Sequence, residues 1–205
     1  PRYDKNVLVP FGEYVPFGER LPWLVKAIGR TAFAAGDGLP LYDAGAARFA
    51  FLICYEAILP EFVRDPVQRG ANLLVNLTYD GWFGDGAEPA QHAMLVAVQA
   101  AQLGVPVIRS TTTGISALID ARGHFVGRAE LFERKVLVGD VAPLRVPGIY
   151  VEWGAWFAWS CVSVSALLLA SSWLRSSRRR GSGTASCTRI CASSTALRAR
   201  ACRSR

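Results

Sequence analysis

Apolar positions in this chain change their spacing several times, and each change marks a predicted element. Residues 48–54 contain the unbroken run Phe49-Ala50-Phe51-Leu52-Ile53 and read as a buried strand, as do residues 72–78 (NLLVNLT). Residues 58–69 predict a helix, with Pro60 tolerated in its first turn and Gly70 as its stop. Residues 90–103 (AQHAMLVAVQAAQL) are Ala-rich, lack an internal breaker and are followed by Gly104, the clearest helix signal in the chain. Residues 105–109, 115–120 and 135–141 read as strands, with Ala121-Arg122-Gly123 turning after the second of them. Residues 1–47 are rich in Pro and Gly and predict loops, apart from a short helix over 21–30 that starts at Pro22 and stops at Gly29. Strands alternating with helices predict an α/β fold.

A different pattern begins at Trp153. Residues 153–174 are uncharged, long enough for a span of about 20 residues, and have Trp153, Trp156 and Trp159 at one end and Trp173 at the other. A buried core helix is the competing reading, but Arg175, Arg178, Arg179 and Arg180 follow at once. The segment therefore predicts a transmembrane helix. The arginines are expected on the cytoplasmic side and residues 1–152 on the other, which in a bacterium is the periplasm. Residues 175–205 form a Ser/Arg-rich tail without hydrophobic period, expected to be disordered. It reads either as an arm on anionic lipid or as a frameshifted end, the second being preferred.

Charge sharpens this division. Residues 1–174 carry 14 Lys and Arg against all 16 Asp and Glu, whereas residues 175–205 carry nine Arg and no acid. The net +7 is thus a property of the tail, and the body offers no argument for nucleic acid. Cys54, Cys161, Cys187, Cys191 and Cys202 do not make a disulfide framework, since the body holds one thiol before residue 160. Cys187-x3-Cys191 lacks the second ligand pair of a zinc site. The chain opens on Pro1-Arg2-Tyr3-Asp4-Lys5 and reads as the carboxyl-terminal part of something longer.

Cys54 is the strongest candidate for chemistry. It sits where a buried strand meets an expected helix start, and backbone N–H groups there favour a thiolate; the competing reading is a structural thiol. Lys5 could stabilise that thiolate and hold an oxyanion, or be a solvated charge, as could Glu13. Glu56 lies two residues after the thiol, in the first turn of the expected helix. Trp82-Phe83, between Gly81 and Gly84, reads as an exposed recognition element or as tucked-in core. His92 reads better as a packed or capping histidine than as a base. There is no G-x-S-x-G and no Walker loop.

Taken together, three blocks resemble the nitrilase superfamily: Tyr3-x-Lys5 with Val9-Pro10-Phe11-Gly12-Glu13-Tyr14-Val15-Pro16; Ile53-Cys54-Tyr55-Glu56; and Asn76-Leu77-Thr78-x-Asp80-x-Trp82-Phe83-Gly84. Gln91-His92 and Arg109-Ser110-Thr111-Thr112-Thr113-Gly114-Ile115 continue the likeness. It is closest to the superfamily's membrane-bound branch, whose members acylate bacterial lipoproteins. The resemblance implies a four-layer αββα sandwich, incomplete at the amino end over residues 1–150, with Cys54 as nucleophile and Lys5 as the triad lysine. Glu13, Tyr55 and Glu56 are implied to support the site, and Trp82 and Phe83 to bind substrate. The general-base Glu is expected in a motif before Pro1. The implied partners are a phospholipid acyl donor, an apolipoprotein acceptor and the inner membrane, with no metal, cofactor or nucleic acid, and the chain is read as a monomer. Two rivals remain: a nitrilase-type amidase acting on small amides, and an inactive fragment lacking its base.

Overall fold

The computed structural model describes residues 2–29, 33–146 and 148–175. The basic tail from residue 176 onward, and Cys187, Cys191 and Cys202 with it, lie outside the described residues. The chain divides between Gly154 and Ala155 into two units.

The first unit is built on one mixed sheet of six strands in sequential order. β1 (Tyr42–Ala44) pairs antiparallel with β2 (Ala47–Ile53) through a two-residue turn that holds Gly45 at φ 60°. β2, β3 (Leu73–Thr78) and β4 (Val107–Thr111) are parallel to one another. β5 (Ala117–Ile119) and β6 (Phe125–Arg128) then return antiparallel. Each parallel step is made by a helix: α2 (Pro60–Gln68) between β2 and β3, and α3 (Glu88–Leu103) between β3 and β4. A short α1 (Pro22–Ile28) precedes the sheet and α4 (Ile149–Trp153) follows it.

Alternation along the strands sends Ala50, Leu52, Leu74, Val107, Ala117 and Ile119 to one face, where Val63 and Val67 of α2 and Val96, Ala100 and Leu103 of α3 close the core. The other face carries Phe49, Phe51 and Leu77. Phe49 and Phe51 are half-buried and pack edge-to-face beside Tyr42, and Leu77 is 41% exposed. Among the described residues no second layer covers it. The α/β expectation holds, and one sheet with one helical layer is what the described residues form of the expected sandwich.

Three expectations need correction. Residues 58–69 are not one helix: a 3-10 turn, Cys54–Ile58, ends in extended Leu59, and α2 starts only at Pro60, whose missing N–H suits a first turn. Residues 135–141 are not a strand. They are irregular, with Val136 and Val138 almost fully exposed, because the turn at 120–124 closes so tightly that β6 becomes the partner of β5. Asp120 holds that turn by accepting from the backbone N–H of Arg122 and His124, both at 2.8 Å.

The apolar segment expected at 153–174 is interrupted by Gly154, at φ 57°. The second unit's helix, α5 (Trp156–Arg175), is long and apolar enough to cross a membrane.

Candidate active site

Cys54 follows the last residue of β2 and opens the 3-10 turn, with φ of 52°. The left-handed region costs a residue with a Cβ about 1–2 kcal/mol, and such strain persists where the surroundings fix it. The surroundings here are the Glu56 carboxylate. Glu56 is fully buried. Its Oε2 accepts from Ile53 N at 2.7 Å and Tyr3 Oη at 2.7 Å; its Oε1 accepts from Asn6 N at 2.6 Å and Val7 N at 3.0 Å. One carboxylate thus ties the residue before Cys54 to the segment that carries Lys5. Burial and the Glu56 hydrogen bond together push the Tyr3 phenol well above its ordinary pKa.

Lys5 Nζ lies 2.7 Å from both oxygens of Glu13. Glu13 Oε2 also accepts from Val9 N at 2.8 Å, which closes the loop between the two residues. The pair is mostly buried, with 11% of the Lys5 side chain and 22% of the Glu13 side chain exposed. A solvated surface role for Lys5 is therefore replaced by a held ion pair. A groove of about 410 Å³ opens on Lys5 and Glu13, and an apolar groove of about 820 Å³ shares its Leu8, Phe33 and Ala35 walls and extends past Tyr14, Phe17 and Val25. Tyr55 is half-buried in the 3-10 turn. Trp82 and Phe83 form a second 3-10 turn after β3 and stand exposed, at 61% and 45%, with Tyr79 edge-on to Trp82.

A buried polar cluster spans β3, the loop after it, α3 and β4, and it was not legible as a unit in the sequence. Arg109 on β4 donates from Nε to the Ile115 carbonyl at 3.1 Å, from Nη1 to Asn76 Oδ1, and from Nη2 to Asp80 Oδ2 at 2.7 Å. Asp80 Oδ1 accepts from Thr78 Oγ1 at 3.2 Å and lies 3.0 Å from His92 Nδ1. Burial alone would raise the Asp80 pKa, but the His92 hydrogen bond and the Arg109 charge outweigh it and hold the carboxyl below its ordinary value. His92 is packed in this cluster, with Nε2 buried and unpartnered among the described residues. The one sequence signal was Arg109 itself, a charge at the end of the apolar stretch Val105-Pro106-Val107-Ile108.

A thiol at a strained strand end, tied through Glu56 to the segment that carries a clamped ammonium, suits covalent acyl chemistry. Residues 1–146 match the carbon-nitrogen hydrolase family, and the chain belongs to that family. Within it, the chain is 41% identical to an apolipoprotein N-acyltransferase of Geobacter metallireducens over 177 residues, 86% of this chain and 34% of that protein. It is 38% identical to the apolipoprotein N-acyltransferase of Azotobacter vinelandii over 176 residues, 84% of this chain and 33% of that protein. The chain therefore spans about a third of the length of these relatives. Among solved structures, a glutamine-dependent NAD+ synthetase from Acinetobacter baumannii superposes with a TM-score of 0.52 at 15% identity, covering 65% of this chain and 24% of that one, a likeness of fold.

Proposed function

We propose that this chain carries the nucleophile-bearing part of an N-acyltransferase that moves an acyl chain from a phospholipid to the terminal amine of a diacylglyceryl-cysteine lipoprotein. The observation that supports it most is the Glu56 carboxylate, which fixes Cys54 and the Lys5 segment against each other in one hydrogen-bonded unit. In this reading the Cys54 thiolate attacks an acyl ester carbonyl. The C–S bond forms, the ester C–O bond breaks, and the lysophospholipid leaves as its alcohol, taking a proton from the protonated general base. The amine then attacks the thioester, the C–S bond breaks, and the amide forms as the base takes back the amine proton and the thiolate returns. Lys5 holds the oxyanion in both steps.

Neither Glu13 nor Glu56 suits the general-base role, because each carboxylate is already engaged by several donors. The apolar groove beyond Leu8 and Phe33 offers the acyl chain a dry wall, and Trp82 and Phe83 offer exposed contact for lipid. The reading also takes α5 as a membrane span in a bacterial inner membrane, with residues 1–154 on the periplasmic face and the arginines in the cytoplasm.

The test is a chimera in which this chain replaces the matching third of the Geobacter metallireducens relative. It should N-acylate a diacylglyceryl-cysteine peptide from phospholipid, and the Cys54→Ala chimera should not. Turnover of small amides without acyl transfer to the peptide would favour the amidase reading instead.

A further inference from the structure

Arg64 on α2 is a largely buried charge that the chemistry above does not use, with 16% of its side chain exposed. Its Nε donates to the Val151 carbonyl at 2.8 Å, its Nη2 to the Glu152 carbonyl at 2.8 Å, and its Nη1 to Glu61 Oε2 at 3.1 Å. Gln68, one turn further along α2, donates from Nε2 to the same Val151 carbonyl at 3.0 Å. The last carbonyls of a helix have no partner within it, so two side chains of α2 complete the end of α4. Gly154 closes α4 at φ 57°, and a Cβ there would stand 3.1 Å from Arg64 Nη1. The guanidinium therefore lies against the turn where the first unit ends.

Held in this way, α4 has two unlike sides. Val151 is buried in the core, whereas Ile149 and Trp153, four residues apart and on the opposite side of the helix, are 68% and 73% exposed. Leu144 and Val146, just before α4, are exposed as well. Single exposed apolar residues are ordinary, but these stand at a telling place in the chain. α5 starts at Trp156, and three residues reach about 10 Å at most. With α5 across a bilayer, Trp153 lies within that reach of the first residue of the span, the depth at which Trp side chains collect. Glu152, Glu61 and Arg64 carry no excess of positive charge, which suits a zwitterionic headgroup layer.

We propose that α4 is an interfacial foot: Ile149 and Trp153 bed into the boundary between the headgroups and acyl chains of a phospholipid bilayer, and Arg64 with Gln68 holds the foot to α2. This rests on α5 being a membrane span. A helix of five residues does not hold its shape by itself; without the clasp the catalytic unit would meet the bilayer by no fixed edge. The foot is a lipid contact separate from Trp82 and Phe83, which follow β3.

The test is photocrosslinking of the full chain in phosphatidylcholine vesicles, with adducts located by peptide mass spectrometry. One preparation contains a phosphatidylcholine with a diazirine near the top of its acyl chain, and a second has the diazirine near the chain end. The shallow probe should label Ile149 and Trp153; the deep probe should label residues 167–169 of α5 and leave α4 unlabelled. Arg64→Met should lose most of the α4 adducts and keep those on α5. Amide exchange over residues 149–153 should also quicken about tenfold or more, since two hydrogen bonds from a charged group are gone.

Labelling of α5 without labelling of α4 overturns the inference and leaves the span standing, whereas labelling of neither overturns both. Adducts and exchange that Arg64→Met leaves unchanged overturn the clasp and with it the proposal. Far-UV circular dichroism reports folding, and if Arg64→Met does not fold, the shallow adducts of the unsubstituted chain decide. No acyl transfer is read, so failure of the chimera leaves this result untouched.

Discussion

Glu56 has four donors converging on two oxygens, and no other side chain can supply that. Glu56→Gln places an amide NH2 against N–H groups that cannot turn away. We expect a loss of about 2–3 kcal/mol, read from urea unfolding; unchanged stability would mean that the carboxylate is not the clamp. Asp80 provides the pH test. Its folded pKa lies below the ordinary value of 3.8, so near that pH the unfolded chain binds more protons than the folded one. The stability that Asp80 contributes is full above that value and is lost as pH falls through the folded pKa. Acid unfolding of Asp80→Asn should lack this component. At the residue scale the Lys5–Glu13 pair was not legible from the residues alone, which read as solvated charges; the resemblance set both beside Cys54 as site candidates, and the structure shows the two held as an ion pair. The Arg109 cluster was not legible either, because its members come from β3, the loop after it, α3 and β4, and only tertiary packing brings Asn76 and Arg109 together across 33 positions.

Elements were legible where local pattern and tertiary need agreed. Strands β2 and β3 and helix α3 fell close to their expected bounds, because continuous apolar runs and an Ala-rich stretch leave little alternative. The misplaced strand at 135–141 shows the limit: an apolar run with β-branched residues is strand-like, but β5 had already been paired by the nearer β6. The step after β2 was misread for a related reason. Tertiary hydrogen bonds to Glu56 hold residues 54–58 as a 3-10 turn, which local propensity does not reveal. Gly114, between β4 and β5, was visible only as a loop residue, yet a Cβ there would collide with the Asp80 carboxylate. Gly114→Ala should cost about 1–3 kcal/mol in unfolding experiments and should disturb the Asp80 cluster rather than the distant β1–β2 hairpin. A neutral outcome would show that the loop yields freely.

At the scale of the molecule, two apolar surfaces await a solvent other than water. One is the sheet face of Phe49, Phe51 and Leu77. The chain in solution should bind a hydrophobic dye there, and Leu77→Lys should reduce that fluorescence without loss of secondary structure. The other is α5, none of whose apolar window is buried, with Leu167, Leu168 and Leu169 all strongly exposed. Leu167→Arg with Leu168→Arg should abolish co-sedimentation with phospholipid vesicles, since each charge costs about 2.5–3.5 kcal/mol at mid-bilayer.

The central claim is that Cys54 accepts an acyl chain from lipid, and intact-peptide mass spectrometry of the chimera after incubation with phospholipid tests it most directly. The account predicts an acyl mass on the Cys54 peptide that neutral hydroxylamine removes and that Lys5→Ala sharply reduces. An unmodified Cys54 peptide in a chimera that still acylates its acceptor would contradict it.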